Sequence, residues 1–458
     1  MQVKHYDTIV IGSGGGTKLV RPVADLGKKV ALAEMESPGG TCLNRGCIPS
    51  KMLIYPAHIV QTSLDTKKLN LNLKGNLEVN FSELVERISE TVDSESDSIP
   101  PIYNSHANID YYPSLAKFVG EKEIEVQNVR ITGDKIFLAV GCRPFIPRIP
   151  GLSESPYWTS REALRNKVLP KKLIVYGGGY IALELGMAYS AFGTEVTFIV
   201  RSRLLRNEDH EIREAYCDSI SDKVKIHENT SIQNVNYSKE TFAIQTDNPS
   251  LGVLESDALL IATGIQPNSD LLNLQNTKIK TDRDGYIQTN GFLETTAHGI
   301  YALGDVTGRY FFRHSVNFEG EYLFENLYKK SQSGPIHYPP IPHAVFTHPE
   351  VASVGLTEES CRLAGFDYIK ATHPYKSSAA GMARLPKYGL VKIILDKKSR
   401  TVLGAHILGD EASNMIHMII LGMTLGAKLE DYLNMVYIHP ALPEIVRNAF
   451  RRLRDTLS

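Results

Sequence analysis

Two cysteines, Cys42 and Cys47, lie in the run Gly39-Gly40-Thr41-Cys42-Leu43-Asn44-Arg45-Gly46-Cys47-Ile48-Pro49-Ser50-Lys51. Thiols this close along a chain can cycle between dithiol and disulfide. They can also be half of a metal site, a structural disulfide or a coincidence. A zinc-type site needs a second ligand pair, and none follows at the required spacing, so no metal is expected. A redox pair is the reading that the surrounding segments favour.

A glycine-rich turn precedes the cysteines. Residues 7–12 read as a buried strand that feeds Gly12-Ser13-Gly14-Gly15-Gly16-Thr17 and then a helix through Leu26. A second strand over residues 29–33 ends in Glu34. Glycines let a backbone approach a pyrophosphate seated on a helix N-terminus, and the acid accepts from a ribose hydroxyl. The pattern repeats. A strand over residues 172–176 enters Gly177-Gly178-Gly179-Tyr180-Ile181-Ala182, a helix runs towards Phe192, and residues 194–200 form the next strand. Here Ile199 or Val200 stands where the acid would be, and Arg201, Arg203 and Arg206 follow. Without the acid a 2′-phosphate meets no repulsion, and guanidinium forks can bind it. The second unit is therefore expected to take NADPH in preference to NADH. Two such units imply two dinucleotides. One should be FAD, because nicotinamide and a disulfide need a relay between them. The first unit, joined to the cysteines, is the natural FAD site.

The whole chain agrees with a soluble redox enzyme. Its 458 residues suggest two to four domains, and its formal charge of −1 gives no footprint for nucleic acid or an anionic membrane. The five cysteines are few and odd in number, which fits a reducing, cytoplasmic compartment. No cationic leader or cleavage site precedes the first strand, and the longest apolar stretch, near residues 416–427, is too short to span a bilayer.

Several further segments carry a resemblance. Leu138-Ala139-Val140-Gly141-Cys142-Arg143-Pro144 and Ile261-Ala262-Thr263-Gly264 look like crossover motifs between domains. Tyr301-Ala302-Leu303-Gly304-Asp305-Val306-Thr307, His343-Ala344-Val345-Phe346-Thr347 and Ile438-His439-Pro440-Ala441-Leu442-Pro443-Glu444 follow in order. With the two turns and the cysteine segment, the chain resembles the FAD-dependent pyridine nucleotide–disulfide oxidoreductases over essentially its whole length. Within that family, Tyr437-Ile438-His439-Pro440-Ala441-Leu442-Pro443-Glu444, the compact Gly12–Thr17 turn and Ala405-His406-Ile407-Leu408-Gly409 are most similar to mycothione reductase. Thr17 replaces the last fingerprint glycine, with Gly16 a candidate for its part, and Pro22 should kink the first helix. No cysteine lies in residues 451–458, which disfavours mercuric reductase and large thioredoxin reductase.

The resemblance implies an α/β fold of two Rossmann-like domains with a C-terminal α+β dimerisation domain. The expected segments are 1–149 and 268–338 for FAD, 150–267 for NAD(P) and 339–458 for the dimer interface. Cys47 would contact the flavin and Cys42 attack the substrate, with His439 as general acid–base and Glu444 orienting it. Tyr180 would be a lid over the nicotinamide pocket, and Glu184 would pair with Lys51 beside the flavin. Cofactor contacts are expected at Gly12, Gly14, Gly15, Gly16, Glu34, Thr41, Lys51, Gly141, Asp305 and His314, and at Gly177, Gly179, Tyr180, Ile181, Glu184, Arg201, Arg206 and Gly264.

The implied reaction is NADPH-dependent reduction of a small disulfide by a homodimer whose sites draw on both subunits. The helix at 414–425 is a candidate interface seam or, equally, a core helix. Arg21 and Arg45 are candidate substrate contacts. Ser89 to Pro101 reads as a solvated turn, and arginines 447, 451, 452 and 454 as one polar face of a last helix. The rival readings are dihydrolipoamide dehydrogenase using NAD, a quinone reductase or diaphorase, and a metal-binding regulator without flavin.

Overall fold

Val30-Ala31-Leu32-Ala33 places four apolar side chains in a row, the signature of a strand covered on both faces, and all four are buried. The computed structural model describes residues 3–71, 77–330 and 334–457. It divides into two compact units: Met1–Ser50, Glu86–Phe145 and Gly264–His337 make one, and Lys51–Val85, Ile146–Thr263 and Tyr338–Ser458 the other.

In the first unit, Val30–Ala33 pairs in parallel with Lys4–Ile11 and with Ile109–Tyr112. Lys4–Ile11 pairs on its other side with Val129–Leu138. Ile300–Ala302 joins Val129–Leu138 from far along the chain, and Glu123–Val126 and Lys117–Gly120 complete a seven-stranded sheet. Parallel neighbours need a crossover, and the helix Thr17–Asp25 supplies it, burying Leu19, Val20, Val23 and Ala24. Pro22 lies inside that helix, and Leu26 caps it. The two crossover segments meet as a ribbon, Cys142–Pro144 antiparallel to Ile265–Pro267. Arg143 forks onto Asp270 across it, at 2.8 and 2.6 Å.

The second unit repeats the parallel motif in the order Lys225–His227, Glu195–Ile199, Lys172–Tyr176, Ala258–Ile261. Its helix Tyr180–Ala191 is buried nearly all round. It can lie close to the sheet because Gly186 has no side chain: a Cβ there would stand 2.5 Å from the Phe198 ring. A five-stranded antiparallel sheet follows in the order Pro342–Val345, Glu350–Gly355, Val402–Gly409, Leu390–Asp396, Tyr368–Pro374. The helices Ala412–Leu425 and Pro443–Leu457 share an apolar core with it. The fold is thus α/β with an α+β C-terminal part. Ala412–Leu425 serves partly as a core helix through Met415, Ile416 and Ile419, while Leu421 and Leu425 face outward.

One expectation fails. Residues 89 to 101 are not a turn, because Phe81–Asp97 is a single helix and Ile99–Asn104 another. Phe81, Val85, Ile88 and Val92 are buried at helical spacing, so the serines and acids there are a helix's wet face. Among the described residues no helix is long and apolar enough to cross a membrane.

Lys392 is fully buried in the second unit and meets Asp209 at 2.8 Å, Glu358 at 2.7 Å and Glu211 at 3.2 Å. Burial pushes its ammonium pKa down, yet the bonds to Asp209 and Glu358 outweigh that and hold it above the ordinary lysine value. Lys392→Met would strand Asp209, 1% exposed, without its cation, while Glu211 and Glu358 keep Lys370. The variant should lose about 3–5 kcal/mol of stability, read from urea unfolding, whereas a surface lysine replaced in parallel should change it little.

Candidate active site

Cys42 belongs to the short helix Gly40–Arg45, and Cys47 opens the helix Cys47–Leu64. Gly46 lets the chain double back between them, since a Cβ there would stand 2.9 Å from the Thr41 carbonyl oxygen. Asn44 ties the segment together, its amide donating to the carbonyls of Pro38 (2.8 Å) and Gly40 (3.0 Å). Both cysteines are in the dithiol form. A hydrogen bond with Cys47, then burial, pushes the Cys42 thiol above its usual range, while the charge of Arg313 pulls the other way. Arg45 is paired with Glu36, which competes with a role in binding substrate, and Arg21 lies 3.9 Å from Asp25.

The first glycine turn is packed on every side but one. Cβ atoms would stand 2.3 Å from the Ala139 oxygen at Gly12, 2.1 Å from Val316 at Gly15 and 2.4 Å from the Gly12 oxygen at Gly16. At Gly14 the nearest atoms, in Arg313 and Gly40, are 3.9 Å away, so a ligand can approach the backbone there. Thr17 is accommodated because its hydroxyl donates to the Gly14 carbonyl at 2.9 Å. Glu34 Oε2 accepts from the Ser13 N–H and hydroxyl at 2.8 and 2.7 Å, and Oε1 from the Glu36 N–H at 2.9 Å. Oε1 therefore keeps acceptor capacity for one hydroxyl. Asp305 is pushed up to about 6 by burial and then by Glu319. Among the described residues no other side chain donates to it. A desolvated carboxylate beside a backbone cradle fits a hydroxyl- and phosphate-bearing cofactor, and the residues present fit FAD. Thr41 is exposed, Gly141 and Gly264 take positive φ, and His314 is exposed and stacked on Phe312.

The second turn is built alike. Gly177 has φ +144° and its Cβ would stand 2.1 Å from the Ala262 oxygen, while nothing lies within 4 Å of that position at Gly179. Ile181 is exposed at the helix start. Arg201, Arg203 and Arg206 are exposed, and among the described residues none makes an ion pair. Lys51 Nζ meets Glu184 Oε2 at 2.7 Å and lies 4.4 Å over the Phe346 ring, whose backbone N–H donates to Glu184 Oε1 at 3.1 Å. The Tyr180 hydroxyl donates to Glu208 at 2.9 Å.

His439 Nδ1 lies 3.0 Å from Glu444 Oε2. The imidazole is 71% exposed and the carboxylate buried. Burial raises the Glu444 pKa, but bonds from the Ala441 N–H and His439, with the charges of His439 and Arg447, bring it below the ordinary value. Arg447 donates to Glu444 Oε1 at 2.6 Å and lies over the Tyr437 ring. Expected among the solvated arginines of this helix, it is only 19% exposed and is drawn against Glu444. The signal was its place three residues after Glu444, one helical turn on.

Residues 6–323 match the model of the pyridine nucleotide-disulphide oxidoreductases, and residues 341–450 that family's dimerisation domain. The chain belongs to this family. It is 33% identical to a mercuric reductase of Lysinibacillus sphaericus over 436 residues, 93% of this chain and 79% of that one. It is 32% identical to mycothione reductase of Mycobacterium tuberculosis over 465 residues, 99% of this chain and all of the other. Among solved structures it is similar to a Cu(II) complex of the HOCl-induced flavoprotein disulfide reductase RclA from Escherichia coli, with TM-score 0.88 and 28% identity over 99% of this chain and 100% of that one. This pyridine nucleotide-disulphide oxidoreductase is accordingly an FAD-dependent enzyme that uses NAD(P)H, and its dimerisation domain supports a homodimer.

Arg313 and Glu208 escaped the sequence reading, which gave Arg447 only a place on a polar helix face. Because Glu444 titrates lower when folded than unfolded, its stabilisation is complete above about pH 4.5 and is lost as pH falls through the folded value. Arg447→Met should raise that folded value. We expect a loss of about 1–3 kcal/mol at pH 7 that disappears towards pH 3, in urea unfolding measured across that range.

Proposed function

We propose that the protein is a disulfide reductase that carries electrons from NADPH through the Cys42–Cys47 pair to a low-molecular-weight disulfide, a reading supported by its 32% identity to a mycothione reductase. Residues 1–149 and 268–338 would hold FAD, 150–267 the nicotinamide nucleotide, and 339–458 the dimer interface. FAD, when bound, supplies the two-electron relay between nicotinamide and the thiols. The observation that carries the reading is the His439–Glu444 pair. With Nδ1 held by a buried carboxylate, Nε2 of an exposed ring is free to take or give a proton.

In the reduced pair, Cys42 attacks one substrate sulfur as a thiolate and forms a mixed disulfide, releasing the first thiol, which His439 protonates. Cys47 then attacks Cys42, releases the second thiol and restores the disulfide. Each turnover consumes one NADPH and one proton and yields NADP⁺ and two thiols. Tyr180 is the nicotinamide lid, and Lys51, held by Glu184, places positive charge beside the flavin. The unpaired Arg201 and Arg206 support a 2′-phosphate site. In this reading His439 serves the partner's thiols.

The decisive measurement is kcat/KM with lipoamide, glutathione disulfide and mycothiol disulfide, each with NADPH and NADH. One disulfide with NADPH should lead. Cys42→Ser should abolish turnover, and His439→Gln should lower it about 10²–10⁴-fold. Arg201→Gln with Arg206→Gln should cost NADPH about tenfold or more and leave NADH nearly unchanged. Leadership by lipoamide with NADH would identify a dihydrolipoamide dehydrogenase instead.

A further inference from the structure

Glu208 lies just beyond the arginine loop and is only 6% exposed. Its carboxylate has three side-chain donors. Oε1 accepts from the Tyr180 hydroxyl at 2.9 Å and from His343 Nε2 at 2.6 Å, and Oε2 accepts from the Ser353 hydroxyl at 2.7 Å. Burial pushes this carboxyl up, but the His343 bond and charge, with the Ser353 bond, hold it below the ordinary range, so it is an anionic acceptor at neutral pH. The rings of Tyr180 and His343 are stacked, with centroids 5.5 Å apart and planes 20° from parallel. The carboxylate cannot drift. The next residue, Asp209, caps the helix His210–Ile220 and is bonded to buried Lys392 at 2.8 Å. His343 and Ser353 sit on the paired strands Pro342–Val345 and Glu350–Gly355.

We propose that Glu208 is a positioning residue that latches the Tyr180 lid, so that a nicotinamide nucleotide must break the Tyr180–Glu208 bond to enter. The inference rests on the reading of Tyr180 as the lid. A bond to a buried anion is stronger than one to water, and the stacking on His343 sets the ring's plane as well as its hydroxyl. The latch weakens binding of any nicotinamide nucleotide, whatever its 2′ group, because it acts where the nicotinamide goes. It also exceeds what a free tyrosine would do, since the acceptor is fixed by the antiparallel sheet rather than by the loop that binds the nucleotide.

The test uses the FAD-loaded enzyme and equilibrium titration with NADP⁺ and with NAD⁺, followed by the flavin spectrum. Tyr180→Phe removes one oxygen and should tighten both nucleotides by about three- to tenfold, with Glu208→Gln doing the same. The double variant should gain no more than either single one, the mark of a shared bond. Should Glu208→Gln fail to fold, Tyr180→Phe decides alone. Unchanged or weaker binding in Tyr180→Phe overturns the latch. So does a change confined to NADP⁺, which would place the effect in the arginine loop. Tyr180→Ala separates the two readings. If it tightens binding while Tyr180→Phe does not, the lid stands and the latch falls; if neither variant moves the affinity, the lid reading itself has failed.

Discussion

Adjacent carboxylates taken out of water oblige the rest of the second unit to answer them. Glu208 and Asp209 are both buried, and a buried anion costs several kcal/mol unless donors surround it. Three of the donors come from one sheet, His343, Ser353 and Lys392, and helices add the Tyr180 hydroxyl to Glu208 and the Glu358 N–H, 3.0 Å from Asp209. That requirement joins the end of the nucleotide-binding loop to the antiparallel sheet. It sets the register at which strands Pro342–Val345, Glu350–Gly355 and Leu390–Asp396 must present those side chains. Van der Waals packing could slide by a fraction of an ångström; this arrangement cannot without leaving a charge unpaired.

The same chemical group serves opposite ends elsewhere. Burial pushes up the carboxyls of both Glu444 and Asp305, yet Glu444 is held below the ordinary value while Asp305 rises to about 6. The difference is the donor count. Glu444 has Ala441 N–H, His439 and Arg447 around it, whereas Asp305 faces another acid, Glu319, which itself accepts from the Gly304 N–H at 2.6 Å. A carboxylate with its donors supplied by the chain holds a partner in place. One that lacks them is completed only by a ligand that brings hydroxyls. Glu444 orients His439 in the first manner, and Asp305 fits FAD in the second.

These contrasts explain what could be read from the sequence. The turns at Gly12 and Gly177 were legible because a tight approach of backbone to backbone admits only glycine, and that leaves a mark at the position itself. The thiol pair was legible because cysteines are rare at such spacing, and the His439–Glu444 pair through the resemblance of its segment to the family's active site. Glu208 left no mark, since its three partners lie 28 to 145 positions away along the chain and an acid in a loop normally points to water. Arg313 was hidden likewise, because its closeness to Gly14 arises from a helix eight residues past Asp305. The segment from 89 to 101 misled through composition: serine and acid dominate the wet face of Phe81–Asp97, and the buried positions are only one in three or four. Arg447 was readable but was overruled by its basic neighbours, which do face solvent.

The surroundings of His439 carry one further consequence. Val436 is 94% exposed and Ile438 81%, and Leu421 and Leu425 also point away from the core. Exposed apolar side chains in this number are costly in water and mark a surface meant to be covered. All four residues lie within 341–450, the stretch that matches the family's dimerisation domain. Covering Val436 and Ile438 would also dry the neighbourhood of the imidazole, and lower dielectric strengthens its bond to Glu444. A second copy seated there would thus complete the setting of the His439–Glu444 pair. Under the proton-transfer role proposed for His439, such covering would tie turnover to the oligomeric state through the bond between His439 and Glu444.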